Sequence, residues 1–92
     1  MTNRLGTPGP QPAPPSIPKA AELRGLLAKL ISATSLGSEE RWAELIGAVE
    51  VLPFVLYPES NWRIDPDGSW GEVEIIWKAT DNLRKEHPIV RP

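Results

Sequence analysis

Cysteine is absent from the chain, and histidine, methionine, phenylalanine and tyrosine occur once each. Without thiols there is no disulfide, no thiolate zinc site and no cysteine nucleophile, and a single histidine removes the commonest ligand from most other transition-metal sites. No uninterrupted apolar run reaches membrane-spanning length, and the opening MTNRLGTPGPQPAPPSIPK lacks the apolar stretch of a signal peptide. These absences predict a soluble, cytoplasmic protein, and the lack of cysteine fits a reducing compartment. Charge of one sign is missing too. Ten Lys and Arg against twelve Asp and Glu give a formal net charge of −2, which supplies no overall attraction to a phosphate backbone.

Proline, by contrast, is abundant at the start, where residues 1–18 hold six of the eleven in the chain. Such a segment cannot donate a full backbone ladder or bury enough apolar surface to offset its ordering entropy, so residues 1–18 are expected to form a disordered, polyproline-like tail. Pro12, Pro15 and Pro18 have the spacing read by aromatic-grooved modules such as SH3 domains, but no basic residue flanks them at a useful distance. Residues 19–92 are then expected to form one small domain. A core of that size is commonly supplemented by disulfides, a metal or a partner chain; with the first closed and the second disfavoured, self-association as a homodimer is a live expectation.

From Pro18 onward the pattern is helical. Ala20, Leu23, Leu26, Leu27, Leu30 and Ile31 recur at three- and four-residue intervals, which predicts a buried stripe on a helix that Ser16 could cap and Gly37 could close. Ser38 opens a second helix, SEERWAELIG, with acids in its first turn and Gly47 as its stop; Trp42, Leu45 and Ile46 form its apolar face. AVEVLPFVLY, 48–57, is rich in branched and aromatic residues and reads as a strand buried on both sides for part of its length, with an edge or bulge at Pro53. NWRID, 61–65, alternates as a half-buried strand, so the two form a hairpin. A last helix begins with Ser69 and Glu72 at capping-box spacing and buries Val73, Ile76, Trp77, Thr80 and Leu83, with Glu74–Lys78 and Asp81–Lys85 pairs outside. The expected fold is α+β in the order ααββα: a helical hairpin, a two-stranded antiparallel β-hairpin and a C-terminal helix.

The stretch NWRIDPDGSWGE, 61–72, carries the densest chemistry. Asp65, Asp67, Gly68 and Glu72 imitate a calcium loop, but its glycine and glutamate fall at the fourth and eighth positions where an EF-hand needs them at the sixth and twelfth. A turn through Pro66, Asp67 and Gly68 followed by a capping box accounts for each of those residues. His87 has no serine elbow or triad partner in the sequence and sits where a histidine complements a helix C-terminus. No catalytic residue, cofactor or metal is therefore assigned. Trp42, Trp62 and Trp77 are expected in the core. Trp70, in the first turn of the last helix and near Arg63, is a candidate interface anchor, so Asn61, Trp62, Arg63 and Trp70 form the candidate interaction surface.

Leu52-Pro53, Pro58, Asn61-Trp62, Pro66, Gly68 and the His87-Pro88 ending resemble small alphaproteobacterial proteins, often encoded in mobile elements. The resemblance covers about forty residues; it implies a bacterial cytosolic accessory protein and assigns no activity or site. The functional expectation is a non-enzymatic protein-interaction module with a partner protein not specified by the sequence. The alternative is a dimeric nucleic-acid-associated regulator, which the acid-rich second and third helices disfavour.

Overall fold

The computed structural model describes residues 17–92, and the expected Pro-rich tail lies, over residues 1–16, outside the described residues. The order is α1 (Ala20–Thr34), α2 (Glu39–Ile46), β1 (Glu50–Val51), β2 (Trp62–Arg63) and α3 (Trp70–Glu86), with β1 and β2 antiparallel: the α+β fold and ααββα order expected from the pattern.

α1 begins after a buried Pro18 and an N-cap at Lys19, whose N–H donates to Glu22 Oε1 at 2.8 Å; the cap is thus not Ser16. Its buried stripe is Leu23, Leu27, Ala28 and Ile31. Leu26 and Leu30, expected in the same stripe, are exposed on the flank of the helix. α1 ends at Thr34 with Ser35 as C-cap, ahead of the expected stop at Gly37. Gly37 instead serves the link to α2: its φ is +114°, and a Cβ there would lie 2.9 Å from Trp42 Nε1, an indole nitrogen that donates to Leu36 O at 3.0 Å. Only glycine admits both that backbone and that close approach.

α2 opens on Ser38, whose hydroxyl accepts from Arg41 N, and closes on Gly47, as expected. It has no basic residue in its last turn, and Arg24 of α1 supplies the charge: Nε and Nη2 both donate to Ala43 O, at 3.0 and 2.7 Å. Ala43 O already accepts from Gly47 N, and the guanidinium fills its remaining acceptor capacity while complementing the helix dipole. This bond also fixes α2 against α1.

The strands are two residues long. Glu50 faces Arg63, Val51 faces Trp62, and Leu52 N donates to Asn61 O. The expected strand over 48–57 ends there because Pro53, its φ fixed by the ring, begins a turn in which its carbonyl accepts from Leu56 N and Tyr57 N. The expected burial on both sides is also overturned, since residues 53–57 are all exposed. In the second strand Trp62 and Ile64 are buried while Arg63 and Asp65 are exposed, the predicted alternation, but Asn61, expected on the outer face with them, is buried.

α3 carries the predicted capping box: Glu72 N donates to Ser69 Oγ and Ser69 N to Glu72 Oε1. Ile76, Thr80 and Leu83 are buried, and the Thr80 hydroxyl is satisfied by Ile76 O. Trp77 is a correction, being 42 % exposed at the edge of that stripe. The expected ion pairs along α3 do not form; the two among the described residues are Arg41–Glu72 and Arg63–Glu50.

After α3 the chain runs extended beside the strands. Arg91 N donates to Pro18 O, Ala20 N donates to Arg91 O, and Arg91 Nε donates to Ile17 O. These bonds tie Ile17 and Pro18, two residues expected in the tail, to the C-terminal segment. The core gathers α1, α2, α3, Trp62, Ile64 and, from this last segment, Val90.

Candidate interaction surface

The four residues nominated from sequence divide. Asn61 and Trp62 are buried, so they are not surface residues. Their physical role is a clasp. The Asn61 side chain forms a two-bond amide pair with the backbone of Val90, Nδ2 donating to its carbonyl at 2.9 Å and Oδ1 accepting from its N–H at 2.7 Å. The Trp62 indole N–H donates to His87 O at 2.8 Å, and Asn61 N donates to Pro88 O. Asn61 thereby stands in for the missing rungs between β2 and the C-terminal segment. These bonds use the side chains of Asn61 and Trp62 but only backbone carbonyls of His87 and Pro88, so they account for the first pair and not for the second.

Arg63 is exposed but held to Glu50 by two bonds, Nε to Oε1 at 2.8 Å and Nη2 to Oε2 at 3.2 Å. Each partner shifts the other: hydrogen bonding to Arg63 lowers the Glu50 pKa, and hydrogen bonding to Glu50 raises that of Arg63. Trp70 stands 83 % exposed in the first turn of α3. The arginine that does meet a tryptophan is Arg84, missed from sequence: its guanidinium carbon lies 4.1 Å from the Trp62 ring centroid while Nη1 donates to Ser60 Oγ and Trp62 O. The signal available was only that Arg84 follows the buried Leu83 on α3.

The corner from Asp65 to Glu72 is occupied by its own chemistry. Asp67 N donates to Leu45 O, Asp67 Oδ1 accepts from Gly68 N, and Glu72 uses Oε1 for Ser69 N and Oε2 for Arg41 at 3.2 Å. Hydrogen bonds from the Ser69 backbone and side chain, with a smaller contribution from Arg41, hold the Glu72 carboxyl below its ordinary pKa. The Glu72 carboxylate thus serves the helix end. His87, at the C-terminus of α3, engages its backbone through the Trp62 indole and Leu83, and among the described residues no side chain hydrogen-bonds to its imidazole.

The surface that sequence reasoning missed lies where the expected strand fails. Phe54, Val55, Leu56 and Tyr57 are 55, 88, 71 and 44 % exposed, four consecutive large apolar side chains on one turn. Beside them runs a groove of about 760 Å³ lined mainly by Ile17, Val51, Leu52, Phe54, Ile89 and Pro92. Asn61 and Arg91 also line it; the Asn61 amide is engaged with Val90 and Arg91 Nε with Ile17 O, and the rest of the wall is apolar. Leu52 bonds toward β2, so alternation turns the N–H and C=O of Val51 to the open edge of β1, where no described backbone group meets them. The arrangement offers apolar contact and one backbone donor–acceptor pair. Among the described residues no three of His, Asp and Glu gather to hold a metal, and no helix is long and apolar enough to cross a membrane.

Comparison of the chain with protein-family models, with curated proteins and with solved structures returns no match.

Proposed function

We propose that the protein is a non-enzymatic interaction module, and that it takes an extended, apolar segment of another protein along the open edge of β1, between Val51 and the Phe54–Tyr57 turn. The observation that carries this reading is the exposed run of Phe54, Val55, Leu56 and Tyr57 next to an apolar groove, in a chain whose buried core is assembled without them. Contiguous exposed apolar patches mark contact sites, because each such side chain gains about 1.5–3 kcal/mol on full burial and gains none of it in water. An extended segment suits the site, since the Val51 N–H and C=O can pair with a partner backbone while alternate side chains enter the groove. The net charge of −2 and the acids in the first turns of α2 and α3 count against the nucleic-acid alternative, because a phosphate backbone repels them.

The test is selection of a random peptide library on the full chain. Enriched peptides are expected to carry apolar residues at alternate positions and to lose about tenfold or more in affinity for Leu56→Ser, a variant that keeps the wild-type melting temperature. Enrichment of no sequence, or equal binding to both proteins, overturns the reading. A concentration-dependent dimer abolished by the same substitution identifies a second copy as the occupant and also overturns it.

A further inference from the structure

All five described arginines are engaged, while Lys19, Lys29, Lys78 and Lys85 form no side-chain hydrogen bond or ion pair among the described residues. Three of those lysines border one feature. Between α1 and α3 lie two adjoining hollows, of about 680 and 290 Å³, that share Leu30 and Asn82; Lys29 and Lys85 line the first and Lys78 the second. The α1 side of this trough is the exposed flank noted above, Leu26, Leu30 and Ala33, spaced by four and three residues. On α3 it includes Ile75, which is exposed, and Asn82, seven residues and so about 10 Å further along the helix. The trough thus has an apolar floor about two turns long, three unpaired ammonium groups and, in its lining, one acid, Glu86. That sign is opposite to the net charge of the chain.

We infer that the α1–α3 trough is a docking site for an acidic amphipathic helix of a partner protein. Its length matches the i, i+3, i+4, i+7 anchors of a helix of about ten to fourteen residues, whose apolar stripe would lie on Leu26, Leu30 and Ile75. Carboxylates flanking that stripe would meet Lys29, Lys78 and Lys85, steering association and setting orientation. Neither acid-rich helix of a second copy matches this description: α2 buries Trp42 and Ile46 in its own core, and α3 interleaves its acids with Lys78, Arg84 and Lys85. This site is separate from the β1 edge and rests on none of the same side chains.

The probe is a panel of fluorescein-labelled 14-residue amphipathic helices that share one leucine stripe and carry either glutamates or lysines beside it, titrated against the full chain by fluorescence polarisation. Members of the glutamate set are expected to bind, more weakly as salt rises, and the lysine set not to bind. Lys29→Glu with Lys85→Glu should weaken the glutamate set by about tenfold or more, and Leu30→Ser should do the same, with helix content by circular dichroism unchanged. Leu56→Ser should leave this binding intact, which separates the trough from the β1 edge. Equal binding of both sets, indifference to the lysine reversals, or no member binding more tightly than about 100 µM overturns the inference. So does binding to phosphatidylserine vesicles that the same reversals abolish while no peptide binds, since that assigns the trough to an anionic membrane surface.

Discussion

Leu52–Tyr57 and Asn61–Ile64 sit on either side of one short turn, and their compositions would place them the wrong way round. The first is almost wholly apolar and is the more exposed; the second contains Asn and Arg and supplies Asn61, Trp62 and Ile64 to the interior. Hydrophobicity alone does not decide between them. What differs is the fate of the backbone. In the first segment the Pro53 carbonyl takes Leu56 N and Tyr57 N, so the chain turns away before its side chains meet the core. In the second, backbone groups that burial would otherwise orphan find partners: Asn61 O takes Leu52 N, Asn61 N gives to Pro88 O, and the Asn61 side chain completes Val90. A polar residue is buried because it makes the burial of its neighbours possible.

The strongest way to break this contrast is Trp62→Ala. It removes a fully buried indole, its bond to His87 O and the face on which Arg84 stacks. The expected loss is about 3–5 kcal/mol, a large part of the total stability of a domain this small, read as a collapse of the urea midpoint. Asn61→Ala comes next. It leaves the buried Val90 N–H and C=O without their partners, with an expected cost of about 2–3 kcal/mol and a selective rise in amide exchange at Val90 and Arg91. If amides of α1 open to the same extent as those two, the clasp is not a local device and the contrast weakens.

Much of this fold was legible in the sequence because several signals coincide at each helix. Ser38 and Ser69 cap as their spacing predicts, Gly47 stops α2, and Ile76, Thr80 and Leu83 form the α3 stripe. Periodicity was less able to set the width of a stripe. Leu26, Leu30 and Trp77 fall within one residue's rotation of buried positions, and only the placement of neighbouring helices leaves them outside. The strand over 48–57 was misread because β-propensity outweighed the turn that begins at Pro53. The candidate surface failed at Asn61 and Trp62 for a different reason. Their partners, Val90 and His87, lie 29 and 25 residues away, and no local pattern announces a pairing at that range.

A smaller effect sharpens the comparison at the far end of β2. The Glu72 carboxyl has a depressed pKa, from the Ser69 N–H and hydroxyl first and then Arg41, so the stabilisation it provides is complete above the ordinary value of 4.5 and is lost as pH falls through its lower folded value. Melting temperature is expected to drop in that acid range, and by less in Glu72→Gln, which has no carboxylate there to protonate. Glu50, depressed by its bonds to Arg63, titrates in the same direction and accounts for part of the drop that remains. Because Glu50 is exposed and Glu72 only half-buried, added salt should shrink the contribution that comes from their charge partners. An identical acid profile for Glu72→Gln and wild type would mean that the capping box carries no pH dependence.

The smallest expected effect is the most telling for function. Val55→Ser and Leu56→Ser exchange exposed apolar side chains for polar ones on a turn held by the Pro53 carbonyl rather than by those side chains. Each should change stability by no more than about 0.5 kcal/mol in either direction, measured by urea denaturation, whereas the same chemistry in the buried segment, Ile64→Ser, should cost several times that. A loss above about 1 kcal/mol at Val55 or Leu56 would mean that the turn packs on something in solution, either its own chain or a second copy. A neutral result would show that Val55 and Leu56 are exposed apolar side chains the fold does not need, as the proposed contact surface requires.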